Sequence, residues 1–267
     1  MRTDAVGYTD LTGLTMSDAH AWSCMMNPGV WSEAKLGFSN EGFHWEWYEL
    51  EMRHRRVSVC APREHAKSEV FSINTTAHHA IYRPGSWQYL FSSTLDQSKI
   101  LLERVVSAVA TDAPDLLASP PKFSTTDVVF RNWSRVTVAS VGKNIRGIHP
   151  DRIVGDDVLT PENTSTNLQR RRLESWWLGT VGPMAHPGST RPMGFGKMRP
   201  RGKIPVVYHP PTTIVLVGTP FHALDLLMAM RENPIYVFRR YASSFHPADL
   251  VPGTFSVEAA GGLAKAA

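Results

Sequence analysis

Val57-Ser58-Val59-Cys60-Ala61-Pro62-Arg63-Glu64-His65-Ala66-Lys67-Ser68 runs from a short β-branched segment through a turn to a Lys-Ser pair. Residues 69–82 follow without Gly or Pro and open with helix-forming residues. Strand, loop, Lys-Ser and helix is the order of a phosphate-binding loop, whose usual form is G-x-x-x-x-G-K-[ST]. Here Ala61 and Ala66 stand where the two glycines are expected. The chemistry needs a tight turn whose N–H groups face phosphate, closed by the positive end of a helix. In that reading Ala61, Pro62, Arg63, Glu64, His65 and Ala66 wrap the phosphates, Lys67 reaches the β- and γ-phosphates, and Ser68 holds Mg²⁺. Without the glycines, the same residues also suit an ordinary strand-to-helix connection with a solvated lysine. The rest of the chain decides between the two.

A chain of 267 residues makes one large α/β domain or two small ones. Its hydrophobic share of 42%, against 19% charged, supplies a sizeable core and argues against global disorder. A net charge of +4 permits a polyanionic partner without requiring one. Cys24 and Cys60 offer neither zinc spacing nor a disulfide framework, which fits a reducing compartment. Cys60, on the first strand, reads as core. No stretch is apolar for long enough to span a bilayer, and Met1-Arg2-Thr3-Asp4 opens no signal peptide. The expectation is a soluble intracellular protein with no membrane partner.

Residues 1–40 are poorly periodic and turn-rich. Residues 43–52 read as a short amphipathic helix with Phe43, Trp47 and Leu50 on one face. It either packs on the sheet or covers an adenine, since it lies just before the loop. Arg53-His54-Arg55-Arg56 reads as a solvated strand entry. Residues 87–93 form a second strand, and Thr94-x-x-Gln97 is a capping box opening a helix to about residue 109, with Leu95, Leu102, Val105, Val106 and Val109 inward. Residues 128–130 and 136–141 make a hairpin around Asn132-Trp133-Ser134. Residues 142–150 form a loop.

Arg152-Ile153-Val154-Gly155-Asp156-Asp157 is a short apolar strand ending in two acids. A helix is expected over 164–178, then a long basic Gly/Pro loop over 182–211 that suits a nucleic-acid backbone. Thr213-Ile214-Val215-Leu216-Val217-Gly218-Thr219-Pro220 is a buried-type strand, followed by a helix over 222–231, a last strand over 235–238 and a loose Ala/Gly tail. The alternation implies a mainly parallel sheet, with ligands at the strand C-termini. The loop, Asp156-Asp157 and Gly218-Thr219 then share one edge. Phosphoryl transfer to water needs a phosphate cradle, Mg²⁺ and a base that orients the water. Asp156 suits the metal and Asp157 the water. The fold expected is a RecA-like P-loop NTPase core, with an additional strand between the phosphate loop and the Asp-Asp strand.

These landmarks resemble the ATPase domain of the large terminase subunit of tailed bacteriophages. The resemblance covers roughly residues 40–240. It rests on Phe43-His44-x-Glu46-Trp47, on Ala61-Pro62-Arg63-x-x-x-Lys67-Ser68, on Ile145-Arg146-Gly147 before the Asp-Asp strand, and on Val217-Gly218-Thr219-Pro220-Phe221-His222-x-x-Asp225-Leu226. In that family the phosphate loop is often glycine-poor and carries an arginine where Arg63 stands. The resemblance implies an ATP-driven motor that moves double-stranded DNA into a procapsid in the host cytoplasm. Its implied partners are the portal protein, the small terminase subunit and further copies of itself in a ring. It implies ATP and Mg²⁺, with Lys67, Ser68 and Arg63 on the phosphates and Asp156 on the metal. Gly218-Thr219 would couple hydrolysis to motion, and Arg146 would be an arginine finger for a neighbouring subunit.

Two departures stand out. Asp157 occupies the place of the family's catalytic glutamate and reaches about one methylene less far. The expected nuclease domain has no counterpart before the chain ends, so no nuclease activity is expected of it. The division expected is an N-terminal segment and adenine-side cover over 1–52, an ATPase core over 53–250 and a flexible tail over 251–267. The alternatives are a superfamily 2 helicase, whose Asp-Glu motif Asp156-Asp157-Val158-Leu159 does not match, a nucleotide-binding scaffold with little turnover, and a basic DNA-binding module without nucleotide.

Overall fold

A computed structural model describes residues 16–241 other than 144 and 146. Helices α1 (Met16–Met26) and α2 (Pro28–Leu36) come first, then α3 (Gly42–Arg53) and β1 (Arg56–Cys60). The turn-rich segment expected over 1–40 is thereby corrected in its described part. Neither helix shows a strong apolar stripe, so periodicity passed them over. Their end signals are sharper: the Asn27 side chain accepts from Gly29 N–H at 2.8 Å, Pro28 takes the first helical position, and Gly37 closes α2 at φ +67°.

After the phosphate-loop segment, a π-type turn (Ser68–Asn74) continues as α4 (Thr75–Tyr82). Then come β2 (Trp87–Ser92), α5 (Leu95–Asp112), β3 (Lys122–Phe123), β4 (Asp127–Val129) and β5 (Arg135–Ser140). Thr94 caps α5 as expected, accepting from Gln97 N–H at 3.2 Å. Leu95 is exposed, and Leu101 and Ala108 are buried alongside Leu102, Val105 and Val109. Leu95 is the first residue of α5, ahead of the turn that meets the sheet.

The remaining elements are β6 (Arg152–Asp156), α6 (Pro161–Thr164), α7 (Asn167–Trp176), β7 (Ser189–Pro192), β8 (Val206–His209), β9 (Thr213–Gly218), α8 (Leu226–Glu232) and β10 (Val237–Arg240). Three expectations shift here. The single helix over 164–178 starts later, at Asn167, because Thr166 caps it by accepting from Gln169 N–H, and it runs on as a π-type turn through Val181. The long loop over 182–211 contains an antiparallel ribbon, β7 with β8. The helix expected from residue 222 begins at Leu226, because the Asp225 carboxylate accepts from Phe221, His222 and Met228 N–H groups.

The main sheet has eight strands in the order β10-β1-β9-β6-β2-β5-β4-β3. The first six run parallel, and β4 and β3 extend the edge antiparallel. The additional strand between the loop strand and the Asp-Asp strand is β9. Buried parallel strands read as near-continuous apolar runs, and each face of the sheet takes alternate side chains. Val57, Val59, Val154, Val215 and Val217 face a core with Trp47, Phe71 and Val105, built from α2 to α5. Ile153, Ile214 and Leu216 face a second core with Trp177, Leu173 and Leu227, built from α7 and α8. Registers Cys60↔Gly218 and Asp156↔Val217 bring the C-terminal ends of β1, β9 and β6 level. No helix among the described residues is long and apolar enough to cross a membrane.

Candidate active site

The level strand ends put the three landmarks side by side. Ala61 N–H donates to Gly218 carbonyl at 3.2 Å, and Asp157 N–H donates to Val217 carbonyl at 3.0 Å. The β1–α4 connection, the acid pair and the β9 end thus meet through backbone bonds before any side chain is considered.

The loop reaches its turn without glycine. Glu64 and Ala66 sit in the left-handed region at φ +66° and +54°. Such a conformation costs an ordinary L-residue roughly 1–2 kcal/mol. Surrounding contacts hold it there. His65 Nδ1 lies 2.9 Å from Arg63 carbonyl, and His44 Nε2, at the start of α3, lies 3.2 Å from His65 carbonyl. His44 is buried, and burial pushes its imidazole below the usual range. The stretch read as either packing on the sheet or covering an adenine braces the loop through His44, with Trp47 stacked on Phe71 beneath.

Lys67 is only 4% exposed despite its charge. Its Nζ donates to the carbonyls of Ala61 at 2.9 Å and Pro62 at 2.5 Å, and to Thr219 Oγ1 at 3.3 Å. Thr219 Oγ1 donates in turn to Ala61 carbonyl at 3.1 Å. Burial lowers the Lys67 ammonium from its ordinary value, against the pull of Asp157 and Asp156. Ser68 Oγ donates to Asp156 Oδ1 at 3.0 Å, and Ser72 Oγ to Asp156 Oδ2 at 2.7 Å. Burial, then the neighbouring Asp157 charge, push the Asp156 carboxyl up to about 6. A carboxyl whose ionised form is disfavoured by burial and a neighbouring acid is one that a cation would stabilise in that form.

Asp157 is exposed on the cleft and takes φ +44°, unusual for a residue with a Cβ. A Cβ built on Gly218 would lie 3.2 Å from Asp157 Oδ1 and 3.2 Å from Leu227 Cδ1. Gly218 is thus the residue that lets β9 approach the acid so closely.

Lys67, Ser68, Asp157 and Thr219 line an open cleft of about 640 Å³, within the roughly 300–1,000 Å³ usual for small-molecule sites. Arg63 stands exposed on its rim. The opposite wall comes from Ser93, Thr94 and Arg104, and Arg104 pairs with Glu69, next to Ser68. Of the residues expected to act together, 61–68, Asp156, Asp157, Gly218 and Thr219 converge here. Arg146 lies outside the described residues. Ser72 was missed, although its spacing of four from Ser68 places both on one helix face. Arg104 and Glu69 were missed because their meeting depends on how α5 docks.

The donor set suits a hard divalent cation. Asp156 and Ser68 offer oxygen only. Among the described residues, no three His, Cys, Asp or Glu side chains gather as a metal cage. Magnesium commonly takes one or two protein oxygens beside water and substrate phosphates.

No family model matches the sequence, and no curated protein matches it. Among solved structures, an arginine-to-alanine mutant of the large terminase ATPase domain of Thermus phage P74-26 superposes with a TM-score of 0.55 at 15% identity, covering 81% of this chain and 87% of that one. A second structure of that domain gives 0.52 at 15% identity, over 81% and 86%. The large terminase of bacteriophage HK97 gives 0.47 at 13% identity, over 78% of this chain and 40% of that one. At 15% identity the likeness to the two P74-26 structures speaks for the fold, and the chain has the RecA-like α/β fold of the phage large-terminase ATPase domains.

Proposed function

We propose that this chain hydrolyses ATP in the cleft between β1, β6 and β9, and that hydrolysis drives double-stranded DNA into a procapsid. The observation that carries the reading is the convergence of Lys67, Ser68, Asp157 and Thr219 on the cleft, with Asp156 buried behind Ser68 and bonded to it. The turn at 61–66 would offer N–H groups to the phosphates, and Arg63 would contact them from the rim. Lys67 would exchange its neutral carbonyl partners for anionic phosphate oxygens, so that both ends of the bond carry charge.

Mg²⁺, held by Ser68 and Asp156, would supply neutralising charge to the phosphates. Asp157 would orient a water molecule and receive its proton as the water oxygen bonds to the γ-phosphorus and the bond to the β-phosphate oxygen breaks. Thr219 touches both Lys67 and the Ala61 carbonyl. Gly218-Thr219 could therefore relay a change at the phosphates into β9. Arg146 would serve a neighbouring subunit in a homo-oligomeric ring. Portal protein and small terminase subunit are the partners such a motor takes, at the assembly site in the host cytoplasm.

Steady-state ATP hydrolysis with Mg²⁺, measured for wild type and Lys67→Ala with and without linear duplex DNA, tests the reading. Turnover that disappears in Lys67→Ala and rises with DNA is expected. Turnover indifferent to Lys67 would remove the site. Nucleotide binding without turnover, with Asp157→Asn indistinguishable from wild type, would favour a scaffold instead.

A further inference from the structure

The segment that joins α7 to β9 is a built ribbon at the end of the sheet away from the cleft. Ser189 pairs with His209 and Pro192 with Val206. The pairing continues through Met193 N–H to Pro205 carbonyl at 2.8 Å, and ends where Phe195 and Met198 exchange bonds of 2.7 and 3.0 Å. Gly194 is needed at φ +116°, because a Cβ there would lie 2.7 Å from Met198 carbonyl oxygen.

Two anchors fix the ribbon. Asp151, just before β6, accepts from Arg191 Nη2 at 2.9 Å on each oxygen, and His186 Nε2 and His209 Nδ1 each lie 3.0 Å from its Oδ1. Nearer the tip, the Arg135 guanidinium lies 4.3 Å from the Trp87 ring centre and 5.1 Å from that of Phe195. Asp151, Trp87 and Arg135 all stand at N-terminal strand ends, whereas the cleft is at the C-terminal ends. Strands of this length, at roughly 3.3 Å per residue, separate the two by about 20 Å.

What the anchors leave outward is basic. Lys197, Arg199, Arg201 and Lys203 are exposed, and none makes an ion pair among the described residues. No Asp or Glu occurs between Glu174 and Asp225. We propose that the tip of this ribbon, through these four residues, contacts the phosphate backbone of duplex DNA. The proposal rests on the reading of duplex DNA as the partner and adds where it is held.

A phosphate surface fits better than an acidic protein face, because lysine is depleted at protein interfaces whereas phosphates are bound by lysine and arginine. Residues 189–209 also lack Asn, Gln, Asp and Glu, the side chains that read adenine and cytosine edges. The contact proposed is to phosphates, which carry no sequence information directly, as a protein moving along DNA requires.

The test is fluorescence anisotropy of a labelled duplex of arbitrary sequence with the full chain, titrated at several salt concentrations. A variant carrying Lys197→Ala, Arg199→Ala, Arg201→Ala and Lys203→Ala is compared with wild type. A control carries Arg53→Ala, Lys99→Ala, Arg171→Ala and Arg172→Ala, so both lose the same charge. The ribbon variant should bind at least about tenfold more weakly, with a log–log salt slope shallower by about 3–4. Its thermal melting should match wild type, and the control should lose less than about threefold. Equal affinity and slope in wild type and ribbon variant would overturn the proposal and leave the charges facing an acidic protein surface. A control as weak as the ribbon variant would overturn it in favour of bulk charge. A wild type that binds no duplex at low salt would instead overturn the DNA reading itself.

Discussion

Asp157 Oδ1 lies 3.2 Å from the point where a side chain at Gly218 would begin. The acid proposed to orient water and the end of β9 are thus in contact, with the acid held in a left-handed conformation at φ +44°. Gly218→Ala would push the Asp157 carboxylate aside by a few tenths of an ångström or more. Misplacement on that scale costs turnover far more than binding, up to about a hundredfold for a full ångström. The expected outcome is kcat for ATP lowered about tenfold or more, with nucleotide affinity within about threefold of wild type. Equal loss of affinity and kcat would mean that Gly218 shapes the phosphate cradle and not the acid.

Ala66 marks a second strained point, at φ +54° where the common motif has glycine. Ala66→Gly would relieve a left-handed cost of roughly 1–2 kcal/mol, offset by the greater freedom of glycine in the unfolded chain. A net gain of about 0.5–1 kcal/mol should raise Tm by roughly 1–4 °C in a protein of this size. Calorimetry reads it directly. A lower Tm would show that the alanine methyl contributes packing that outweighs the strain.

What could be read from the chain beforehand, and what could not, follows from range. β1, β6 and β9 were legible because buried parallel strands need no partner to announce them: Val57-Ser58-Val59-Cys60 is apolar but for Ser58, and Ile153-Val154 and Ile214-Val215-Leu216-Val217 are apolar throughout. Lys67-Ser68 and Asp156-Asp157 were legible as strand-end chemistry. The strain at Glu64 and Ala66 was not, since neither residue type signals positive φ. The ribbon was hidden by Gly and Pro, which mark turns but do not reveal that Phe195 will meet Trp87 edge-on. The Arg104–Glu69 pair spans 35 residues and is set by helix docking alone.

Histidine 78 gives a pH signature. His78 is 2% exposed, and its Nε2 donates to Cys24 carbonyl at 2.9 Å, while Nδ1 has no partner. A second proton would have to enter at that buried, unpartnered nitrogen. Burial accordingly lowers the imidazole from 6.5 to about 4. The unfolded chain takes up the proton near pH 6.5 and the folded chain only near 4, so stability falls as pH drops through that window. At about 1.4 kcal/mol per unit, the loss attributable to His78 reaches about 2 kcal/mol by pH 5. His79 is shifted in the same direction by burial and adds to the slope. Urea unfolding at pH 7 and pH 5 should show the difference reduced by about 2 kcal/mol in His78→Gln. An unchanged difference would assign the acid sensitivity to other groups.

Arg152 joins three elements that the site depends on. It is 2% exposed at the start of β6, four residues before Asp156. Its guanidinium pairs with Glu51 of α3 through Nε and, at 2.9 Å, through Nη2. It also donates to Thr76 Oγ1 at 2.8 Å and to Phe71 carbonyl at 2.6 Å, both on the helix that follows the phosphate loop. The same side chain therefore fixes β6 against the helix carrying Ser68 and Ser72, which hold Asp156. Breaking one side of such a pair leaves a buried charge alone, at a cost of about 3–5 kcal/mol. Arg152→Met should lose about that much in urea unfolding, and Arg152→Lys part of it, because an ammonium cannot reproduce the planar fork. Glu51→Leu added to Arg152→Met should recover a large share, since an apolar pair of similar volume is tolerated where a lone carboxylate is not. A double variant as unstable as Arg152→Met alone would show that the bonds to Thr76 and Phe71, and not the charge balance with Glu51, hold β6 in place.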